Sequence, residues 1–372
     1  MQSDTGAKHF KNLSDRADWR WQMKHRIRTV GELRDLIDLT PEEEAGIRTS
    51  AGVFRWGITP YYASLMDRSD PQCPVRRQVI PHIDEMEDDI DLMAADPLEE
   101  EAHSPVKNLI HNYEDRVAIC VSSECAANCR FCLRKRMTGS GVSSLKRKDF
   151  QPILDYLSFH TEIRDVLLTG GDPLSLDDDH LAWLLMKIRA IPHIDIIRIG
   201  SRYPVLNPFR ITPGLCNMLA GHHPVWFNTH FNHPKEITPQ SARALDLLSR
   251  AGIPLGNQTV LLKGINDNSH TLRELFHKLV TYRVRPYYLY QAQLLGGTRH
   301  FRTTIEHGMQ LMESLRGTLS GFAIPLYVLD TPYGKVPLTP SGFRGRSGDY
   351  VTVQSYRRHI WKEYNPLPGK KG

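Results

Sequence analysis

Long apolar runs are missing from this sequence: no stretch of 18 apolar residues occurs anywhere in its 372 positions. No segment can therefore cross a membrane as a helix, and no membrane partner is expected. The N-terminus, MQSDTGAKHFKNLSDRADWRW, has no apolar h-region, so secretion is not expected either. Stretches dominated by lysine or arginine are absent too, and the formal charge is only +5. That balance suits small anions such as phosphates and carboxylates; nucleic acid is not an expected partner. Cysteines number six, too few on a chain this long for a disulfide framework. The expected compartment is the reducing cytoplasm.

What the chain does contain falls into three zones. Residues 1–110 are rich in charge and helix formers, with aromatic anchors in DWRWQMKHRI and FRWGITPYYASLMD. Thr40-Pro41-Glu42-Glu43 reads as a helix start with acids in its first turn. The acidic stretch 84–105 reads as a solvated helix and linker. Residues 111–330 alternate short β-rich runs with helix-like segments: RVAICV, DVLLTG, IIRIGS, VWFNTH, LGNQTVLL and VRPYYLYQ. Strands alternating with helices imply an α/β fold with a parallel sheet, and at least six units favour a barrel or partial barrel. Residues 331–372 begin TPYGKVPLTPSGF and end in a basic tail, expected to be frayed.

Polar residues cluster just after these strands. The cysteines follow the first, Gly170-Gly171-Asp172 the second, Ser201 and Arg202 the third. His230 and Asn232 end the fourth, Gln258 lies in the fifth, and Gln291 and Gln293 end the sixth. A barrel builds its active site from groups at the carboxyl ends of its strands. Any one of these residues alone would be read as a surface turn or a satisfied core polar group.

Cys125, Cys129 and Cys132 stand at the uneven spacing Cys-x3-Cys-x2-Cys. A structural zinc tetrahedron needs four ligands, and Cys120, inside the apolar run VAICV, is poorly placed as the fourth. A redox pair would leave the third cysteine unexplained. Three thiolates on one loop suit a cubane iron–sulfur cluster with one iron open to a ligand. The spacing, with Phe131 before the third cysteine, resembles the signature of the radical S-adenosylmethionine (SAM) superfamily. That resemblance implies a [4Fe-4S] cluster whose open iron is chelated by SAM, and a low-potential electron donor of flavodoxin or ferredoxin type. It also implies that Gly170, Gly171 and Asp172 hold the SAM amino group, with Ser201, His230 and Gln258 among the SAM-binding residues.

Lys335 lies in LDTPYGKVPL, read as a short loop after the apolar strand IPLYVL. A lysine in a turn is ordinarily a solvated surface residue. Here its flanks are rigid, and Asp330 stands five residues before it. A lysine amine can form a Schiff base with pyridoxal phosphate (PLP).

From about residue 10 to 340 the chain resembles the lysine 2,3-aminomutase family. The similarity is carried by DWRWQ, ITPYY, HSPV, YEDRV, the cysteine triplet with Arg134, LLTGGDPL, RIGSR, NTHFNHP, PLGNQ, RVRPYYLYQ, HFRT and SGF. It implies a partial (β/α)6-type radical SAM barrel with an N-terminal helical extension and a short C-terminal PLP-lysine segment. It assigns Lys335 to PLP attachment, Arg116 and Tyr113 to PLP binding, and Arg134 to the substrate carboxylate. The implied reaction moves an α-amino group to the β-carbon of an amino acid. Members acting on lysine direct two aspartates at the ε-ammonium; one position is Asp330 here, the other Gln293. Members acting on glutamate carry a base and an amide instead, a pattern not seen here. Lysine is therefore the first expected substrate and arginine the second, with a neutral polar amino acid left open.

Three departures from the family stand out. The lysine loop is two residues shorter and less glycine-rich, Asn112 replaces an arginine, and the zinc-binding cysteines are missing, with Asn268 where the first would stand. Zinc is not expected; a homodimer or larger assembly is, through the aromatic N-terminal zone. Alternatives are a β-lysine-forming enzyme serving translation-factor modification, a PLP-containing radical enzyme with another substrate or outcome, and a noncatalytic electron carrier.

Overall fold

The computed structural model describes residues 17–50, 54–86, 96–138, 144–339, 342–355 and 357–367. Nine strands form one sheet in chain order: β1 (Leu109–Tyr113), β2 (Arg116–Ser122), β3 (Asp165–Gly170), β4 (Ile196–Gly200), β5 (Val225–Thr229), β6 (Leu255–Leu261), β7 (Val284–Gln291), β8 (Leu326–Thr331) and β9 (Gly334–Pro337). Each neighbour pair from β2 to β8 is parallel. The crossovers are the helices α1 (Gln151–Phe159), α2 (Asp178–Arg189), α3 (Pro213–Ala220), α4 (Pro239–Arg250), α5 (Ser269–Thr281) and α6 (Ile305–Leu315). Six strand–helix units followed by a seventh parallel strand make a nearly closed α/β barrel.

Local chemistry explains these elements. In α5 the buried residues Leu272, Leu275, Phe276 and Leu279 recur at i, i+3, i+4 and i+7, one stripe facing the sheet. Burying each contributes about 1.5–3 kcal/mol. Asn268 caps this helix, its Oδ1 accepting the Thr271 N–H at 2.9 Å. Along β3, Val166 and Leu168 are buried, whereas Leu167 and Thr169 alternate with them and line the barrel cavity. The helix expected at Thr40 runs Pro41–Ser50, with Glu43 and Thr40 forming a reciprocal cap.

Three features differ from expectation. The sheet extends from Leu109 to Pro337, past the boundaries drawn at 110 and 330, because an antiparallel strand is added at each end. Lys335 lies on β9, not in a loop: β8 and β9 form a hairpin around the two residues Pro332 and Tyr333. The C-terminal zone is folded up to residue 367, with β10 (Phe343–Ser347), β11 (Tyr350–Gln354) and β12 (Ile360–Tyr364) in a second, antiparallel sheet. Val351 and Val353 are buried there, and Arg346 is paired with Glu306 of α6 at 2.7 Å. Residues 368–372 of the tail lie outside the described residues, as do 87–95 of the acidic stretch.

The N-terminal aromatic zone packs on its own barrel. Tyr62 is fully buried and its hydroxyl donates to Glu236 at 2.7 Å, while the Asn207 amide donates to Trp19 O at 3.0 Å. Among the described residues no helix is long and apolar enough to cross a membrane.

Candidate active site

The cysteine loop leaves the end of β2 and is held by backbone from several directions. The Asn128 N–H donates to Gly57 O at 3.0 Å, and the Arg130 N–H donates to Gln78 O at 2.8 Å. The Gly171 N–H reaches Ser122 O at 2.6 Å and the Asp172 N–H reaches Glu124 O at 2.8 Å. This close approach requires glycine. A Cβ on Gly171 would lie 2.5 Å from Glu124 O; one on Gly170, whose φ is +114°, would lie 2.6 Å from Ser122 O.

The basic residues that punctuate this loop have partners in the acidic stretch, which was expected to be a solvated helix. Glu85 grips Arg130 through both oxygens at 2.7 and 2.6 Å, and Lys135 lies 3.1 Å from the same carboxylate. Glu100 takes Arg134 in the same bidentate way, at 3.0 Å from Nε and 2.6 Å from Nη2. Asp96 and Glu101 flank Arg136. Buried cations need partners, and here one segment supplies them.

The residues given roles in cluster, SAM, PLP or substrate binding all line one cavity of about 620 Å³, whereas Asn232 is buried outside its lining. Cys125, Cys129 and Cys132 border it together with Gly170, Gly171, Asp172, Ser201, His230, Gln258, Arg134, Arg116, Tyr113, Gln293, Asp330 and Lys335. Among the described residues, no group of His, Cys, Asp or Glu converges closely enough to chelate a single metal ion. A cubane asks for something else, since each thiolate binds a different iron and the sulfurs stand farther apart. Burial pushes the Cys132 thiol up to about 11, and burial with the neighbouring Cys132 and Asp172 charges pushes Cys125 well above its ordinary range. Three thiols crowded on one cavity wall are harder to ionise there without a cation beside them, and an iron–sulfur cluster, which binds thiolates, fits this donor set.

The Asp172 carboxylate is occupied by the protein itself. It accepts from Ser201 Oγ at 2.7 Å, the Arg202 N–H at 2.7 Å and the Leu174 N–H at 3.0 Å. Burial nonetheless pushes its pKa up to about 6. His230 is held neutral, well below its usual range, by burial and by the Arg202 charge. The Val260 N–H donates to Asn232 Oδ1 at 2.9 Å, which fixes that atom as an acceptor. His230 Nε2, 3.1 Å from the same oxygen, therefore carries the ring proton.

At the other end of the cavity, Lys335 Nζ lies 3.0 Å from Asp330 Oδ1. Burial alone would depress the ammonium's pKa, but Asp330, Tyr290 and Tyr113 outweigh it and hold it well above its ordinary value. The Lys335 N–H donates to Tyr113 Oη at 2.7 Å and the Asn112 amide donates to Pro332 O at 3.0 Å, tying the two ends of the sheet together. Arg116 stacks over the Tyr113 ring at 3.8 Å and pairs with Asp115 at 2.9 Å. The Gln293 amide donates to the Asp330 carbonyl at 2.8 Å, so it braces the backbone of that carboxylate.

Sequence reading missed Glu100 as part of this site and named Arg202 among the strand-end residues without giving it a role. Arg202 Nη1 donates to Cys129 Sγ at 2.7 Å; its only sequence signal was its place after the third strand. Glu100 was hidden in an acidic stretch with the composition of a solvated surface.

Comparison with known proteins gives the same picture from a separate direction. Residues 119–276 match the Radical SAM superfamily model. The chain is 45% identical over 366 residues to the L-lysine 2,3-aminomutase of Fusobacterium nucleatum subsp. nucleatum, spanning 97% of this chain and 84% of that one. It is 46% identical to the L-lysine 2,3-aminomutase of Clostridium subterminale, over 96% of this chain and 87% of the other. The glutamate 2,3-aminomutase of Clostridioides difficile is 43% identical, over 93% of this chain and 82% of its own length. The chain belongs to the lysine 2,3-aminomutase family of radical SAM proteins.

Proposed function

We propose that the protein is a radical SAM, PLP-dependent 2,3-aminomutase, an isomerase that moves the α-amino group of a basic L-amino acid to its β-carbon. Lysine is the first substrate of this reading and arginine the second. The observation that carries it is the Lys335–Asp330 pair, 3.0 Å apart, in the same cavity as the three cysteines and Arg134.

When bound, the [4Fe-4S] cluster and SAM supply one-electron chemistry, and PLP supplies an electron-delocalising carbonyl for the amine. Cys125, Cys129 and Cys132 would hold the cluster, and Lys335 would hold PLP with help from Arg116 and Tyr113. Arg134 binds the substrate carboxylate through the guanidinium edge that Glu100 leaves free, beside Thr169. Asp330 presents a buried carboxylate to the substrate's distal cation once Lys335 is engaged elsewhere. An acidic side chain there would meet like charge, which disfavours glutamate.

A low-potential reductant of flavodoxin or ferredoxin type, a cytoplasmic location and a homo-oligomeric assembly belong to the same reading. The test is anaerobic reconstitution with iron, sulfide, SAM and PLP, followed by product analysis on lysine, arginine and glutamate. A β-amino acid from lysine is the expected result; exclusive turnover of glutamate would overturn the substrate assignment.

A further inference from the structure

Arg202 is fixed more tightly than a cavity-lining cation needs to be. Its Nε donates to His230 O at 3.1 Å, Nη2 to Glu236 Oε1 at 2.9 Å, and its backbone N–H to Asp172 Oδ2 at 2.7 Å. The Phe131 ring centre lies 5.3 Å from the guanidinium carbon. Glu236 is held in turn by the Tyr62 hydroxyl at 2.7 Å and by the N–H groups of Asn232 and His233 at 2.7 and 2.9 Å. This leaves Nη1 aimed at Cys129 Sγ, 2.7 Å away. The side chain of Arg202 is only 7% exposed and that of Glu236 is fully buried, so solvent screens the contact little.

Hydrogen bonds to ligating sulfurs and burial are among the protein's levers on an iron–sulfur potential. Reduction places more negative charge on the thiolates, so a cationic donor stabilises the reduced state more than the oxidised one. We infer that Arg202 raises the reduction potential of the cluster by donating a charge-assisted hydrogen bond to the sulfur of Cys129. The inference rests on the cluster assignment made above. The step is a single-electron reduction by an external low-potential donor; no bond forms or breaks at Arg202. Arg202 is thus a positioning and tuning residue, acting through a ligand and not on the substrate.

The test is an anaerobic redox titration of the reconstituted full chain, reading the electron paramagnetic resonance signal of the reduced cluster per iron, with dithionite as donor. At the wild-type midpoint, Arg202→Gln is expected to lower the reduced-to-oxidised ratio about tenfold, about 59 mV for a one-electron couple, while still binding about four irons. Arg202→Lys keeps the charge and is expected to lose less. If Arg202→Gln fails to hold iron because Glu236 is left unpaired, the double variant Arg202→Gln/Glu236→Gln is read in its place. An unchanged ratio in an iron-loaded variant overturns the inference, and so does loss of the cluster from both variants, which would make Arg202 purely structural. A wild-type chain that binds no cluster would instead overturn the cluster assignment itself.

Discussion

Asp330 and Lys335 are cross-strand partners in the β8–β9 hairpin, and their charged groups meet 3.0 Å apart inside the barrel. The two-residue turn sets the register that places these two side chains opposite each other. The Asp330 carboxylate is the group that a substrate cation would need. On the proposed function, engaging Lys335 would free Asp330 for the substrate, so the role of each residue would depend on the other.

Lys335→Ala should abolish covalent attachment of PLP. Borohydride treatment of the wild type, followed by peptide mapping, should place the pyridoxyl group on Lys335. Label on any other lysine would show that the attachment site has been misassigned.

Asp330→Ala should lower kcat/KM for lysine by about tenfold to a hundredfold, the size expected for losing a hydrogen bond to a charged group. Gln293→Ala should have a much smaller effect, because that amide contacts the Asp330 backbone and leaves the carboxylate in place. Equal activity of Asp330→Ala and wild type on lysine would refute this account of specificity.

Alanine at Cys125, Cys129 or Cys132 should remove the cluster, whereas alanine at Cys73 or Cys216 should leave it. Both of the latter are buried outside the cavity lining. Metal analysis of the wild type should give about four irons per chain without stoichiometric zinc. An intact cluster in Cys129→Ala would sink the assignment of the triplet.

Glu100→Gln should raise KM for the amino acid several-fold while largely sparing kcat, since Glu100 holds the Nε/Nη2 edge of Arg134 and thereby sets the direction of its other edge. A lower KM would mean that Glu100 competes with the substrate carboxylate instead of orienting its receptor.

Much of this was legible in the sequence, for reasons that differ from residue to residue. The cysteine triplet is a local spacing, and α5 is a local period, so both can be read within a short window. Glu85 and Glu100 cannot be read that way. Their partners lie 45 and 34 positions along the chain, and composition alone makes the segment look solvated. Arg202 and Glu236 have the same difficulty, being 34 positions apart. GKVP, with a glycine and a proline, is poor strand composition, so composition alone does not place Lys335 on a strand. The neighbouring β8 and the Tyr113 hydroxyl supply the pairing that composition does not. In the tail, alternating valines in β11 were outweighed by the surrounding basic and turn-forming residues.

The anchors of the cysteine loop also bear on the order in which the protein is made. Arg26, Gln78, Glu85 and Glu100 precede the loop, and their contacts with Cys125, Arg130 and Arg134 become available as soon as it leaves the ribosome. Gly171, Arg202 and Glu236 are synthesised later, and until they arrive the loop lacks one whole side of its support. A nascent chain released at residue 200 would carry all three cysteines without the cation that faces Cys129. On the cluster assignment, stable loading of iron and sulfide is expected only after translation has passed Glu236; pulse-labelling of stalled chains with radioactive iron would register that timing, and full loading of a chain stalled at residue 200 would refute it.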